Sequence, residues 1–117
     1  MREQAHILVV EDDPLVSEVI VAALEDQFTT TVVITAVEAI SALQGAKPRL
    51  MLLDCTLPGG MDPSLLPMAD TLGVPVVLMS GDHQRIADIG GKPRPFVLKP
   101  FTLDDLLATI EQVLPTG

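Results

Sequence analysis

The sequence predicts an α/β fold in which helices cover both faces of a parallel sheet. Five short apolar runs, rich in β-branched residues, alternate with segments whose apolar residues recur at helical spacing. The runs are apolar at nearly every position, which is typical of strands buried on both faces. Their alternation with helices implies right-handed crossovers and a parallel sheet. The runs are "HILVV" (6–10), "TVVI" (31–34), "LMLL" (50–53), "PVVLM" (75–79) and "FVL" (96–98).

The first two helices have recognisable starts. Asp13 is placed as the N-cap of the first helix, and Pro14 occupies its first position, where a missing amide is tolerated. Thr35 and Glu38 form the pattern of a capping box at the second helix. The residues expected to face the core are Leu15, Val16, Val19, Ile20, Ala23 and Leu24 in the first helix and Ala39, Ile40 and Leu43 in the second.

The third and fourth helices are predicted to be short or irregular. Asp62 is expected to cap the third helix with Pro63 at its first position, and Pro67 then removes a further amide. The fourth helix is expected to span about 82–89, before two glycines and two prolines. His83 is interpreted as a solvated residue of its first turn.

The fifth helix is the best specified. Thr102 and Asp105 have the spacing of a capping box, and Phe101 and Leu106 stand at the positions of a hydrophobic staple. The expected apolar face consists of Leu103, Leu106, Leu107, Ile110, Val113 and Leu114.

Composition narrows the class of protein. The 117 residues, 48% of them hydrophobic, fit a single domain spanning 1–117. The net charge is -9 and the seven basic residues are scattered, which argues against nucleic-acid binding because phosphate neutralisation needs clustered Lys and Arg. The single cysteine, Cys55, permits no intramolecular disulfide and is interpreted as a packing residue. The N-terminal apolar run is too short for a signal peptide or a membrane span, so we expect a cytoplasmic protein without membrane contact.

Polar groups follow four of the five predicted strands. Glu11 and Asp12 follow the first strand, Asp54 the third, Ser80 the fourth and Lys99 the fifth. Ligands of open α/β sheets bind beyond the carboxyl ends of the strands, so we expect these side chains to converge. Clustered carboxylates repel unless a cation is present, and hard oxygen ligands suit Mg²⁺. Asp54, on a central strand, is the candidate nucleophile, and its attack on a phosphoryl group would give an aspartyl phosphate.

Four motifs carry a resemblance to a known family. "VVEDDP", "LLDCTLPG", "LMSG" and "FVLKPF", in this order and spacing, resemble the receiver domain of two-component response regulators, such as the chemotaxis regulators. The resemblance runs from about His6 to Leu114 and implies a flavodoxin-like fold with strand order 2-1-3-4-5. It implies a domain that takes a phosphoryl group from a histidine kinase or histidine phosphotransfer protein and then switches partner binding. Phosphotransfer and autodephosphorylation would be self-catalysed at one aspartate, so the domain is not expected to be a turnover enzyme.

The resemblance also assigns a metal site and an acceptor. It makes Asp54 the phosphorylation site and Asp12 a direct ligand of Mg²⁺ or Mn²⁺. The backbone carbonyl of Thr56 would be the third protein ligand, alongside Asp54 itself. Glu11 would act through a water molecule or from outside the set of direct ligands.

A switch is implied in the same way. Ser80 would be the hydroxyl that turns toward the phosphoryl group, Phe96 the aromatic that changes rotamer, and Lys99 the lysine that holds a phosphate oxygen. The Lys99-Pro100 peptide would be cis. The side chains of Thr56 and Asp82 occupy positions that tune the lifetime of the phosphoryl group in the family.

Two departures from the family pattern affect loops. The stretch "DCTLPGGMDPS" has an added glycine after Pro58 and lacks the glycine expected after Asp62, so the loop that bears Thr56 can bend differently. A shortened fourth helix would alter the face through which many receivers signal or dimerise.

Several alternatives remain open. A small Mg²⁺-dependent phosphohydrolase would use Asp54 as nucleophile, but it needs a second aspartate at the position that Thr56 occupies. A degenerate receiver would serve only as a protein interaction module. The sequence is equally compatible with a stand-alone domain and with part of a longer regulator or hybrid kinase.

Overall fold

The computed structural model describes residues 4–45, 47–57, 59–90 and 92–114. Within these ranges, strands and helices alternate along the chain as the sequence predicts. The strands are β1 (Ala5–Val10), β2 (Phe28–Val33), β3 (Leu50–Asp54), β4 (Val76–Ser80) and β5 (Phe96–Leu98). The helices are α1 (Pro14–Leu24), α2 (Ala36–Gln44), α3 (Leu65–Leu72), α4 (His83–Gly90) and α5 (Leu103–Val113).

The strands form one parallel sheet in the order β2-β1-β3-β4-β5, which confirms the expected α/β fold and its topology. Successive residues of β1 pack on opposite faces. Leu8 and Val10 join a core cluster with residues of α2 and α3. Ile7 and Val9 join a second cluster with residues of α1 and α5. Because helices cover both faces, the central strands are apolar at consecutive positions.

Side-chain caps begin three helices as expected. The Asp13 carboxylate accepts a hydrogen bond from the Leu15 amide at 2.9 Å. The Thr35 hydroxyl accepts one from the Glu38 amide at 3.1 Å. Both bonds of the capping box between Thr102 and Asp105 are present. These caps satisfy amides that have no partner within the helix and so define where each helix begins.

The predicted core faces of α1 and α5 are partly wrong. Leu15 and Val19 are 73% and 51% exposed, and Leu103 is also exposed. The buried residues of α1 are Ser17, Ile20 and Leu24. At about 3.6 residues per turn, Leu15 points away from Leu24, so one helix cannot bury both against the same sheet. Leu15 and Val19 instead form part of the protein surface.

The start of α3 also differs from the prediction. The helix begins at Leu65, two residues after Pro63. The Asp62 carboxylate accepts hydrogen bonds from the Ser64 amide at 2.8 Å and the Ser64 hydroxyl at 2.7 Å, so it closes a turn before the helix. Pro67 lies in the first turn, where its missing amide costs little. Both α3 and α4 have eight residues, which confirms that they are short.

Strand β2 begins at Phe28, three residues before its predicted start, and ends before Ile34. The added residues include Thr29 and Thr31, which are polar but β-branched. The two ring nitrogens of His6 contact the hydroxyls of these threonines, at 2.9 and 2.8 Å. An edge strand tolerates such polar residues because one side faces solvent. Among the described residues, no helix is long and apolar enough to cross a membrane.

Candidate functional site

Three carboxylates meet at the carboxyl end of the sheet. Val10 pairs with Leu53 in the neighbouring strands β1 and β3, so the residues that follow β1 lie beside the end of β3. Oxygen atoms of Glu11, Asp12 and Asp54 all lie within 4.8 Å of one another. Glu11 and Asp54 are each 1% exposed, whereas Asp12 is exposed. The three carboxylates of the predicted convergence therefore lie together.

Lys99, which follows β5, contacts this cluster at the same end of the sheet. Its backbone amide donates a hydrogen bond to the carbonyl of Ser80 at 2.8 Å, which continues the pairing of β4 and β5. Its ammonium donates to Glu11 Oε1 at 2.9 Å and lies 3.5 Å from Asp54 Oδ2. The Lys99-Pro100 peptide is cis, as the resemblance implies. One ammonium is thus shared by two buried carboxylates.

Thr56 holds the Asp54 carboxylate in place. Its backbone amide and its hydroxyl donate hydrogen bonds to Asp54 Oδ1 at 3.0 and 2.9 Å. Bonds to an ionised oxygen are stronger than neutral ones and fix the orientation of the group. The position two residues after Asp54 therefore carries a hydroxyl donor, whereas a phosphohydrolase would need a carboxyl group there.

The pKa values of Glu11, Asp54 and Lys99 are shifted from their ordinary values. Burial, together with the neighbouring Asp54, raises the pKa of Glu11 from its ordinary 4.5 to about 7. Burial alone would raise the pKa of Asp54, but hydrogen bonds from Glu11 and Thr56 and the charge of Lys99 outweigh it and lower that pKa. Burial opposes the charged form of Lys99, yet its two carboxylate partners raise its pKa. The pair of acids thus favours one shared proton, with the negative charge on Asp54.

The donor set fits a hard divalent cation. Carboxylate oxygens are the ligands that Mg²⁺ prefers, and it is commonly bound by one or two of them. The cluster of Glu11, Asp12 and Asp54 carries more negative charge than the Lys99 ammonium alone can balance. A metal ion here would remove that imbalance.

Ser80 is turned toward the start of α4. Its hydroxyl accepts a hydrogen bond from the Asp82 amide at 3.0 Å and donates one to the Asp82 carbonyl at 3.2 Å. Phe96 is 38% exposed, and its ring packs against the His83 ring with centroids 5.2 Å apart and planes at 60°. His83 does begin α4 and is exposed, but its aromatic contact was missed because nothing in the sequence brings positions 83 and 96 together.

Cys55 and the glycines beside the site have structural explanations. The Cys55 thiol is buried, and burial together with the charge of Asp54 raises its pKa to about 11, which keeps it protonated and unreactive. Gly59 and Gly60 have φ angles of 80° and 82°, a region that residues with a Cβ rarely adopt. The added glycine thus permits a loop conformation that other residues would strain. Pro58, which precedes them, lies outside the described residues.

The sequence matches the response regulator receiver domain family over residues 7–111, nearly the whole chain. The chain belongs to this family. Its strand order is that of the receiver fold. This confirms the resemblance drawn from the four motifs.

Two relatives are full-length regulators. The DNA-binding response regulator MtrA of Mycolicibacterium smegmatis is 34% identical over 116 residues, which cover 94% of this chain and 50% of MtrA. The transcriptional regulatory protein CseB of Streptomyces avermitilis is 34% identical over 119 residues, which cover 97% of this chain and 51% of CseB. The receiver domain described here thus spans about half the length of these relatives.

A solved receiver domain has the same fold. The receiver domain of a sensor histidine kinase from Pseudomonas aeruginosa superposes with a TM-score of 0.86 at 22% identity, covering 97% of this chain and all of that one. That structure is described with a magnesium ion coordinated in its active-site cleft. At this identity, the likeness establishes the fold.

Proposed function

We propose that this receiver domain accepts a phosphoryl group on Asp54 from a histidine kinase or histidine phosphotransfer protein. One observation carries the proposal: Asp54 is a buried carboxylate fixed by Thr56 and placed 3.5 Å from the Lys99 ammonium. Its lowered pKa keeps the carboxylate ionised, as a nucleophile requires. The extra charge of the product then changes the affinity for a downstream partner.

In the reaction, a carboxylate oxygen of Asp54 attacks phosphorus while the bond from phosphorus to the donor imidazole nitrogen breaks. The electron pair of the broken bond stays with the imidazole. Lys99, whose ammonium contacts Glu11 and lies 3.5 Å from Asp54 in this structure, holds an oxygen of the transferred group. The Thr56 amide and hydroxyl keep Asp54 oriented for the attack.

The proposal includes a metal ion. Asp12, Asp54 and the backbone carbonyl of Thr56 would hold Mg²⁺ or Mn²⁺, with Glu11 acting through water or from outside the direct ligands. When bound, the ion supplies positive charge that neutralises the phosphoryl oxygens. The proximity of the three carboxylates supports this assignment.

This domain has a surface beside the site that suits contact with the donor protein. A depression of about 440 Å³ is lined by Leu15, Val16, Val19, Lys99, Pro100 and Phe101. Lys99 belongs both to this depression and to the acidic cluster, so a protein docked here would bring its histidine close to Asp54. This role would explain why Leu15 and Val19 are apolar but exposed.

The Leu15→Asp substitution should slow phosphoryl transfer from a donor protein without affecting phosphoryl transfer from a small-molecule donor.

We further propose that residues 1–117 act as one domain and do not themselves contact DNA. MtrA is a DNA-binding regulator by name, but the matched region covers only half of it. The net charge of -9 and the scattered basic residues of this chain would repel the phosphate backbone. We propose a protein partner as the readout, and the single cysteine, which permits no intramolecular disulfide, supports a cytoplasmic setting.

Phosphorylation by acetyl phosphate tests the function directly. Intact-mass spectrometry after incubation with acetyl phosphate and Mg²⁺ should show one added phosphate, and EDTA should prevent the addition. The Asp54→Asn variant should remain unmodified, whereas Asp104→Asn, which removes an exposed acid of α5, should behave like the unaltered protein. Modification of Asp54→Asn to the same extent would exclude Asp54 as the acceptor. Complete lack of modification and of Mg²⁺ binding would instead favour a pure interaction module.

A further inference from the structure

We propose that His83 is a positioning residue that links the hydroxyl of Ser80 to the ring of Phe96. The link runs through the first residues of α4 and consists of contacts present in this structure. It deepens the proposed function and rests on it only for the trigger, which is a phosphoryl group on Asp54. The linkage itself is a property of the unmodified protein.

The first connection joins Ser80 to Asp82. The Ser80 hydroxyl accepts from the Asp82 amide and donates to the Asp82 carbonyl, so this one side chain contacts both backbone groups of Asp82. Ser80 is 1% exposed, so its hydroxyl is held by these protein groups and not by solvent. Any movement of the hydroxyl therefore alters how Asp82 is held.

The second connection joins Asp82 to α4. Its carboxylate accepts a hydrogen bond from the Gln84 amide at 2.9 Å, and its carbonyl accepts one from the Ile86 amide at 3.3 Å. Asp82 is thus the residue on which the first turn of α4 begins. A shift of Asp82 carries the following residue, His83, with it.

The third connection joins His83 to Phe96. The two rings meet edge to face at 5.2 Å, a favourable arrangement for aromatic pairs. A depression of about 420 Å³ borders both rings, and Leu78 and Ile86 also line it. This open volume gives the Phe96 ring space to move when the His83 ring no longer holds it. Phe96, being 38% exposed, would then present a different surface to a partner.

Under the proposed function, the phosphoryl group attracts the Ser80 hydroxyl and draws it from Asp82. The amide of Asp82 loses its acceptor, the first turn of α4 adjusts, and the His83 ring moves relative to Phe96. His83 would accordingly determine how strongly the state of Asp54 is reported at the surface formed by Phe96.

Fluorine NMR can measure the linkage because the chain has three phenylalanines and no Trp or Tyr. Protein labelled with fluorophenylalanine should give signals from Phe28, Phe96 and Phe101, with Phe96 assigned through Phe96→Leu. Ser80→Ala should move the Phe96 signal in the otherwise unaltered protein. In a His83→Ala background, the same substitution should move it less, by about half or more. His83→Phe keeps an aromatic edge and should restore the movement.

Control variants distinguish the linkage from a general disturbance of the structure by the substitutions. Arg85→Gln, in the same helix, should leave the response of Phe96 to Ser80→Ala intact, and the buried Phe28 should report an unchanged core in every variant. The linkage is overturned if Ser80→Ala leaves the Phe96 signal unmoved, or if it moves that signal equally with and without the His83 ring.

Beryllofluoride with Mg²⁺ mimics the phosphoryl group. Its effect on the Phe96 signal distinguishes a failure of the linkage from a failure of the proposed function. The mimic should move the Phe96 signal in the unaltered protein and in His83→Phe, and less in His83→Ala. An equal movement in His83→Ala would overturn the linkage and leave the function standing. A mimic without effect, alongside the expected response to Ser80→Ala, would count against the function and leave the linkage standing.

Discussion

At the scale of single residues, the stability of the buried carboxylates depends on the small number of positive charges near them. Lys99 is the cation that contacts both Glu11 and Asp54 among the residues whose side chains are described. A buried carboxylate that loses its partner retains the full cost of desolvation. We therefore expect Lys99 to stabilise the folded domain when no metal ion is bound, in addition to its proposed role in phosphoryl transfer.

Replacing Lys99 should test this dependence. Lys99→Met is expected to lower the free energy of unfolding by about 2 kcal/mol or more at pH 8, because two buried carboxylates then lack their shared cation. Urea denaturation in EDTA measures the change. Lys47→Met, at an exposed position, should cost less than about 0.5 kcal/mol. Equal stability of the two variants would show that the ion pairs in the cluster contribute nothing.

Glu11 predicts an unusual dependence of stability on pH. Its pKa is raised to about 7 in the folded chain, so between its ordinary 4.5 and 7 the folded state keeps a proton that the unfolded state has released. Stability from this group is complete below 4.5 and falls as the pH rises through 7. A shift of this size corresponds to about 3 kcal/mol at most. Asp54 adds no slope there, because its lowered pKa leaves it ionised in both states.

The measurement is urea unfolding in EDTA across this pH range. The unaltered protein should lose stability as the pH rises, and Glu11→Gln, which has no proton to release, should lose much less. A flat profile for both proteins, or a rise in the unaltered protein alone, would contradict the assignment of the raised pKa to Glu11.

The sequence could predict which residues meet at the site but not the orientation of each side chain. Glu11, Asp54 and Lys99 follow strands of one parallel sheet, so their convergence is a consequence of topology. The hydroxyl of Ser80 could have pointed to Asp54 or to the backbone of α4, and only three-dimensional packing decides between these. The contact of His83 with Phe96 depends on the placement of α4, which no periodic pattern specifies.

At the scale of secondary-structure elements, α3 is fastened to the segment that enters β5. Arg94 donates two hydrogen bonds to Asp70 at 3.0 and 2.8 Å, and its side chain is only 7% exposed. Lys92 lies 3.3 Å from the same carboxylate but is largely exposed. This bidentate pair links α3 to the segment just before Phe96, the first residue of β5.

Substitutions should separate these two contacts. Asp70→Asn is expected to cost about 1 kcal/mol of unfolding free energy, because it weakens a pair whose arginine is shielded from water. Lys92→Met, the matched control, should cost close to nothing because exposed pairs are screened. Chemical denaturation at low and high salt measures both, and equal effects would contradict the distinction.

Element boundaries were predictable where a side chain caps the helix and less so elsewhere. Asp13, Thr35 and Thr102 act as the sequence indicates. Asp62 was misread because an aspartate before a proline satisfies a turn as readily as a helix end. The apolar residues of α1 lie on more than one face of the helix. Such a pattern does not indicate which apolar residues face the core and which face the protein surface.

At the scale of the whole molecule, the sheet gathers its acidic side chains at one end, and the chain as a whole carries a net charge of -9. An ion that binds the folded state and not the unfolded one stabilises the fold in proportion to the logarithm of its concentration. Global unfolding therefore reports on the proposed metal site.

We expect Mg²⁺ to stabilise the domain more than NaCl of equal ionic strength. Well above the dissociation constant, each tenfold increase in Mg²⁺ should add about 1.4 kcal/mol to the free energy of unfolding. Asp12→Asn should remove this increment, and Asp26→Asn, at an exposed turn, should retain it. Stabilisation that persists in Asp12→Asn would indicate general screening of the acidic chain by the salt.

The central claim is that Asp54 carries the phosphoryl group. Reductive trapping with borohydride after phosphorylation marks the acyl phosphate chemically, and peptide mapping by mass spectrometry then locates it. The geometry of the site predicts a single mark at Asp54. A mark at Glu11 or Asp12 with Asp54 unmodified would contradict the account.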